Sequence, residues 1–248
     1  AQTYESLQGP SHAREVGWAL GTFHSLVSDL PTETLADTLP GFHNTPRYLE
    51  AFHNALASST KTTSAEVKFC LNFIEKQIIY APVLEEAKHS KKLFDRPIHG
   101  DPKVSNIMIS KNSGLAVSII DLDTVKPGLI HYDIGDCLRS GCNLRGEESD
   151  STEQVCFDLD LCREILTGYL SQATNFLTKH DREYIFEAAR IISFELGLRY
   201  FTDYLNNNIY FKVSSPTQNL QRALVQFHLT ESIERQEKGI KALLTDLL

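Results

Sequence analysis

Residues 98–109, Ile98-His99-Gly100-Asp101-Pro102-Lys103-Val104-Ser105-Asn106-Ile107-Met108-Ile109, decide the fold of this chain. Four polar side chains, His99, Asp101, Lys103 and Asn106, fall within eight residues between stretches with the apolar texture of strands. Polar groups are costly to bury, so a strand-turn-strand rarely collects them without a use. Past the turn signal Lys111-Asn112-Ser113-Gly114, the run Leu115–Ile120 reads as a strand again and ends in Asp121-Leu122-Asp123. A hairpin of this length returns the chain on itself and sets Asn106 and Asp121 side by side at one end. An amide oxygen beside a carboxylate is a hard-oxygen pair suited to Mg2+, which takes few protein ligands and fills its shell with water and phosphate. Asp101 then lies where it can accept a proton from a hydroxyl, and Lys103 where it can meet the charge of a transferring phosphoryl group. Base, cation and metal pair are the parts phosphoryl transfer needs. Asp123 is a second candidate metal contact, though it can equally face the other way. Plainer roles stay open: an Asx turn at Asp101, a capping acid at Asp121, a solvated Lys103. His99 reads as structural, a neutral ring holding a backbone carbonyl.

Helices flank this hairpin on both sides. Ser11–Leu30 puts Val16, Leu20, Phe23, Val27 and Leu30 on one face, with Ser11 as N-cap and Pro31 as stop. A polar loop over 31–44 follows, then Thr45-Pro46 opens a helix to about Ser58, and a third runs from about Ser64 to Ile79. Tyr132–Cys142 looks helical, Gly146–Glu153 is an acidic loop, and at least three helical segments follow Asp160. The order is therefore helices over 11–79, a hairpin unit over 96–125 and helices over 132–248. The lack of β-α alternation argues against a doubly wound sheet, and the expected fold class is mainly α with a small β-hairpin.

Composition narrows the partners. A net charge of −8 over 248 residues argues against nucleic acid, which asks for a basic face. No apolar run approaches the roughly 20 residues that span a bilayer, and the first residues lack the basic and apolar regions of a signal peptide. Five cysteines, an odd number with no zinc-type spacing, read as free core thiols of a reducing compartment, so a cytoplasmic location is expected. The chain opens at Ala1 and its one methionine is Met108, from which a natural segment ahead of Ala1 is expected.

The motif His99–Asn106 followed by Ile119–Asp123 resembles the catalytic and metal loops of the protein-kinase-like fold, in the form used by aminoglycoside phosphotransferases and choline kinases. Lys103 mirrors the lysine of the protein-kinase catalytic loop. Residues 121–141, 196–213, 219–233 and 40–46 are similar to N-acetylhexosamine 1-kinases, so the resemblance covers nearly the whole chain. It implies the C-terminal lobe of that fold, using ATP and Mg2+ to phosphorylate the anomeric hydroxyl of N-acetylglucosamine or N-acetylgalactosamine. Asp101 would be the base, Asn106 and Asp121 the metal ligands, and Asp133 a structural acid bracing the loop. The family's nucleotide clamp is a β-rich N-terminal lobe with a glycine-rich loop. The four glycines before Gly100 form no such loop and no β-rich segment precedes Arg96, so that lobe is expected in cis, outside this sequence. The alternatives are a choline or other amino-alcohol acceptor, another sugar, and a non-catalytic kinase-like binding module. A choline site asks for an aromatic cage, to which the lone Trp18 lends little.

The acceptor site rests on a separate pattern. The segment Tyr184–Leu205 is apolar over most of a helical surface and so should be buried. Yet Glu195, Arg199 and Asp203 recur every four residues along it. Buried charges need partners or a wet cavity. Either the stripe pairs internally or it lines the acceptor pocket, where the resemblance gives Arg199 and Tyr210 sugar contacts. Asp136 and Arg139, one turn apart, join the candidate substrate-binding residues, and i,i+3 pairing explains them equally well. Gly17 and Gly21 read as sites of close helix packing.

Overall fold

A computed structural model describes residues 1–247. Three helices lead: α1 (Pro10–Val27), α2 (Thr45–Ser58) and α3 (Ala65–Gln77), followed by the short α4 (Val83–His89). Asn44 and Ser64 cap α2 and α3 by accepting the N–H of Arg47 and Val67. α1 begins at Pro10 after Gly9 rather than at a Ser11 cap, and it stops at Val27, which leaves Leu30 exposed. With seven residues α4 is too short to show a period in the sequence.

Four short strands form two nested antiparallel pairs: β1 (Arg96–Ile98) with β4 (Lys126–Gly128), and β2 (Ile107–Ile109) with β3 (Ala116–Ile119). The hairpin unit therefore extends past residue 125 to Gly128. β4 reads as loop in the sequence because Pro127 and Gly128 are strand breakers. In a two-stranded pair the missing proline N–H sits on an open edge, where it costs no ladder bond. Between the two pairs the chain makes its polar loop, 99–106, and the turn carrying Asp121.

The helices that follow are α5 (Ile130–Gly141), α6 (Leu159–Ala173), α7 (Lys179–Glu183), α8 (Ile185–Leu205), α9 (Gln218–Arg235) and α10 (Glu237–Leu247). α1 and α6 approach until their backbones touch. A Cβ on Gly17 would lie 1.9 Å from the Ile165 carbonyl oxygen, and one on Gly168 would lie 2.0 Å from that of Arg14. That approach carries His24 of α1 inward beneath the polar loop. One apolar core gathers α1, α5, α6, α10 and the strands, a second gathers α2 and α3, α8 and α9 contribute to both, and a cleft opens where α5 and α8 meet the loop. The five cysteines are free; Cys156 is exposed, against the expectation of a core residue, and the other four are buried. No described helix is long and apolar enough to cross a membrane.

Candidate active site

The 99–106 loop is held from below by one carboxylate. Asp133, buried in the first turn of α5, accepts the N–H of His99 (2.7 Å) and of Gly100 (2.8 Å) and pairs with His24 Nε2 at 2.8 Å. Burial would raise the Asp133 pKa, but His24 and the two N–H groups outweigh it and hold the carboxyl below its ordinary range. His99 donates through Nε2 to the Ile120 carbonyl (2.9 Å) and accepts the Asp101 N–H at Nδ1 (3.2 Å). Gly100 has φ 88, and a Cβ there would stand 2.7 Å from the Thr124 carbonyl oxygen, so the loop needs glycine at this point.

The loop brings Asp101, Lys103 and Asn106 together. Lys103 Nζ lies 2.7 Å from Asp101 Oδ2, and Asn106 Nδ2 donates to the Asp101 carbonyl (2.7 Å) and to Oδ2 (3.2 Å). Burial first, then the negative charge of Asp136, raise the Asp101 pKa against the pull of Lys103 and Arg139. Burial alone would lower the Lys103 pKa, but its bond to Asp101 and the surrounding carboxylates keep it raised.

With its nitrogen spent on Asp101, Asn106 is left with its amide oxygen. The Asn106 carbonyl takes the Ile120 N–H at 2.9 Å, so Asp121 follows directly across the ladder. Asp121 is exposed in a left-handed conformation (φ 67), and Asp123 is exposed two residues on. Among the described residues neither is in an ion pair. One amide oxygen and one or two free carboxylates are a donor set that fits Mg2+, which asks for few protein oxygens.

Beside the loop lies a cavity of about 280 Å³, lined by Asp101, Lys103, Asp136, Arg139, Arg199 and Tyr200 among others. Arg139 binds only Oδ1 of Asp136 (Nε 2.8 Å), and its other arm reaches Glu147 at 2.6 Å, which in turn accepts the Tyr200 hydroxyl at 2.8 Å. Among the described residues Asp136 Oδ2 is buried without a partner. The i,i+3 pair thus exists, and it leaves one carboxylate oxygen for something else. Burial would raise the Glu147 pKa, but Arg139, Tyr200 and Lys103 bring it below the ordinary value.

The α8 stripe does not pair with itself. Glu195 takes His43 (2.9 Å) and the Thr45 hydroxyl (2.7 Å). Asp203 accepts three consecutive N–H groups, those of Ile209, Tyr210 and Phe211. Arg199 lies over the rings of Phe42, Tyr48 and Phe211 at 5.1, 5.1 and 5.5 Å, in no ion pair among the described residues. It stands between the cleft and an outer chamber of about 540 Å³, which share Phe42, Tyr210 and Phe211. Tyr210 is 73% exposed at their common mouth. Sequence reasoning missed His24, His43, Glu147 and Tyr200. Only Pro40-Gly41-Phe42-His43, as a turn-rich segment with a histidine, held a signal.

Residues 2–155 match the model of the family described as APH, phosphotransferase enzyme family. Among solved structures the chain is similar to an ethanolamine kinase of Plasmodium vivax, at 16% identity and TM-score 0.56 over 92% of this chain. It is also similar to a choline kinase from Cryptosporidium parvum Iowa II, at 15% identity and TM-score 0.59 over 99% of this chain. The chain spans 64% of the ethanolamine kinase's length and 72% of the choline kinase's. At such identities the likeness is one of fold.

Proposed function

The chain belongs to the phosphotransferase enzyme family, and from that premise we propose that it is the catalytic and acceptor-binding lobe of an ATP- and Mg2+-dependent kinase. Its acceptor on this reading is an N-acetylhexosamine, phosphorylated at the anomeric hydroxyl. The reading is supported above all by one arrangement: Asp101 with a raised pKa shares a cleft with the unpartnered Asp136 Oδ2 and the unpaired guanidinium of Arg199. The acceptor hydroxyl donates to Asp101, which orients it and takes its proton as the new O–P bond forms to the γ-phosphorus of ATP and the bond from that phosphorus to the departing ADP breaks. Lys103 holds that carboxylate in place and offsets charge at the transferring group. Asn106 and Asp121, with Asp123 beside them, would hold Mg2+, which when bound neutralises the ATP phosphates. The nucleotide-clamping lobe is read as lying outside this sequence, in cis.

A hexosamine offers what the cleft lacks. A ring hydroxyl satisfies Asp136 Oδ2, and an acetamido carbonyl or second hydroxyl meets Arg199. Tyr210 and Phe211 offer rings to the apolar face of the sugar. An amino alcohol is the second reading, because Asp136 Oδ2 would also accept an ammonium N–H. Against it, the aromatic faces that would hold such a cation already carry Arg199.

The test is the full-length gene product with Mg-ATP and a panel of hexosamines, hexoses, choline and ethanolamine, followed by ³¹P NMR beside Asp101→Asn. A sugar 1-phosphate signal that vanishes in the variant is the expected result. A phosphorylated amino alcohol would move the assignment to the second reading. Nucleotide binding with no transfer to any acceptor would leave a non-catalytic module.

A further inference from the structure

We infer that His43 is a positioning residue: it ties Gly100, the residue ahead of Asp101, to Glu195 on the acceptor wall through a proton that His43 and Glu195 hold between them. The argument is one of donors and acceptors. His43 Nε2 lies 3.0 Å from the Gly100 carbonyl oxygen, and Nδ1 lies 2.9 Å from Glu195 Oε1. A carbonyl oxygen only accepts, and so does a carboxylate, whereas a neutral imidazole has a single N–H. Both contacts are satisfied only when the pair keeps one more proton than a neutral ring and a carboxylate contain. The second Glu195 oxygen is no escape, since it already accepts the Thr45 hydroxyl.

The surroundings hold the ring in this role. His43 is buried, sits at φ 64, stacks on Tyr132 with centroids 5.2 Å apart and lies tilted against Phe42 at 4.0 Å. A non-glycine residue keeps a left-handed backbone only where its neighbours over-determine it. The 35–44 segment that carries it is pinned again by buried Lys126, bonded to Asp37 (2.7 Å) and to the Leu39 carbonyl (2.8 Å). This strap lines both chambers through Leu39 and Phe42. Glu195 faces the ring from α8, Asp136 and Tyr132 from α5, and the Gly100 carbonyl from the loop; Tyr132 in turn is bonded to Glu85 of α4. Burial would lower the His43 pKa, but the Glu195 charge and hydrogen bond, the Gly100 bond and the Asp136 charge outweigh it and raise it.

The direction with pH follows. Below the raised pKa both contacts stand. As pH rises through it, the proton leaves, the Nδ1 lone pair meets the carboxylate, and the tie between loop and wall opens. A displacement of about 1 Å at a reacting group can cost ~10²-fold in rate. The loss therefore belongs in kcat, at the alkaline end.

The activity arm rests on the kinase reading, whereas the ring protons do not. ¹⁵N-histidine NMR of the full-length gene product should show both His43 ring nitrogens protonated at neutral pH, with one proton lost on the alkaline side. A single ring N–H together with an ionised Glu195 carboxylate at neutral pH, read from the ¹³C shift of that carboxyl, overturns the inference. In the kinase assay, His43→Gln should lower kcat by up to about 10²-fold while the acceptor KM moves less. Glu195→Gln should weaken the alkaline fall, because its amide donates to the neutral ring while its carbonyl keeps Thr45. An alkaline limb identical in wild type and Glu195→Gln overturns the proton-sharing tie even if His43→Gln does not fold. If the wild type turns over no acceptor, the kinase reading fails, and the ring and carboxyl signals alone decide whether the tie exists.

Discussion

The loops at 99–106 and 206–211 are built by the same device and put to different use. Each is irregular backbone seated on a buried aspartate of a neighbouring helix. Asp133 gathers the N–H groups of His99 and Gly100; Asp203 gathers those of Ile209, Tyr210 and Phe211. The carboxylates differ in their remaining partner. Asp133 has His24, able to carry a charge, while Asp203 has the neutral Asn219 amide at 2.8 Å. The side chains differ more. In the first loop Asp101, Lys103 and Asn106 hold one another. In the second, Ile209 and Tyr210 are 81% and 73% exposed. A fixed backbone with fixed side chains suits a reaction centre, and a fixed backbone with free side chains suits a rim that selects what enters.

That division is open to breakage, starting where the effect is largest. Asp101→Asn removes the proposed base without changing its size, and kcat should fall by about 10²–10⁴-fold with the acceptor KM little moved. Steady-state kinetics on the full-length gene product check this. A variant that loses only acceptor affinity would place Asp101 on the rim instead. Asp133→Asn comes next, because it breaks a buried charged network and turns an amide N–H₂ toward N–H donors. A loss of about 3–5 kcal/mol of folding stability is expected in urea titrations. The pH sign is fixed by the lowered Asp133 pKa. Its contribution is present above the unfolded carboxyl's pKa and is lost as pH falls through the lower folded value. The gap between wild type and variant should therefore close at the acid end, and a gap that stays constant with pH would deny Asp133 its charge.

The clustering of the candidate centre was legible in the sequence because its residues are neighbours along the chain. His99, Asp101, Lys103 and Asn106 share one loop, and the hairpin turn alone brings Asp121 across. What braces the centre was not legible. His24 lies far away on α1, where the period marked Val16 and Leu20 and gave no reason to notice a histidine. Glu147 was one acid among several in a loop that read only as acidic, and its place in the cleft depends on Arg139 reaching it across space. The α8 stripe was visible as spacing, but its destinations were not, since Glu195, Arg199 and Asp203 each serve a different segment. β4 was hidden by Pro127 and Gly128, which are breakers everywhere except on an open edge. Local chemistry could be read in the chain, and long-range pairing needed the fold.

At the rim the effects should shrink and change kind. Asp203→Asn leaves three N–H groups sharing a poorer acceptor, and bonds to a charged group contribute about 1.5–3 kcal/mol each. Part of that should appear as a raised acceptor KM with kcat nearly kept. A matching fall in kcat would mean that the two loops act as one unit.

Arg199→Ala gives the smallest and most discriminating result. Cation–π contacts contribute about 0.5–2 kcal/mol, so its loss should raise the hexosamine KM by roughly 2- to 30-fold. The same change empties the faces of Phe42, Tyr48 and Phe211, which then meet no cation of the protein's own. A quaternary ammonium bound there would no longer face a like charge, and Asp136 Oδ2 would remain nearby to attract it. Choline should therefore bind the variant more tightly than the wild type, as titration calorimetry can read, while the hexosamine binds more weakly. If both ligands lose affinity together, Arg199 supports the shape of the rim and does not set its preference. If the hexosamine is indifferent and choline improves, the aromatic cluster is the acceptor's seat and the amino-alcohol reading takes precedence.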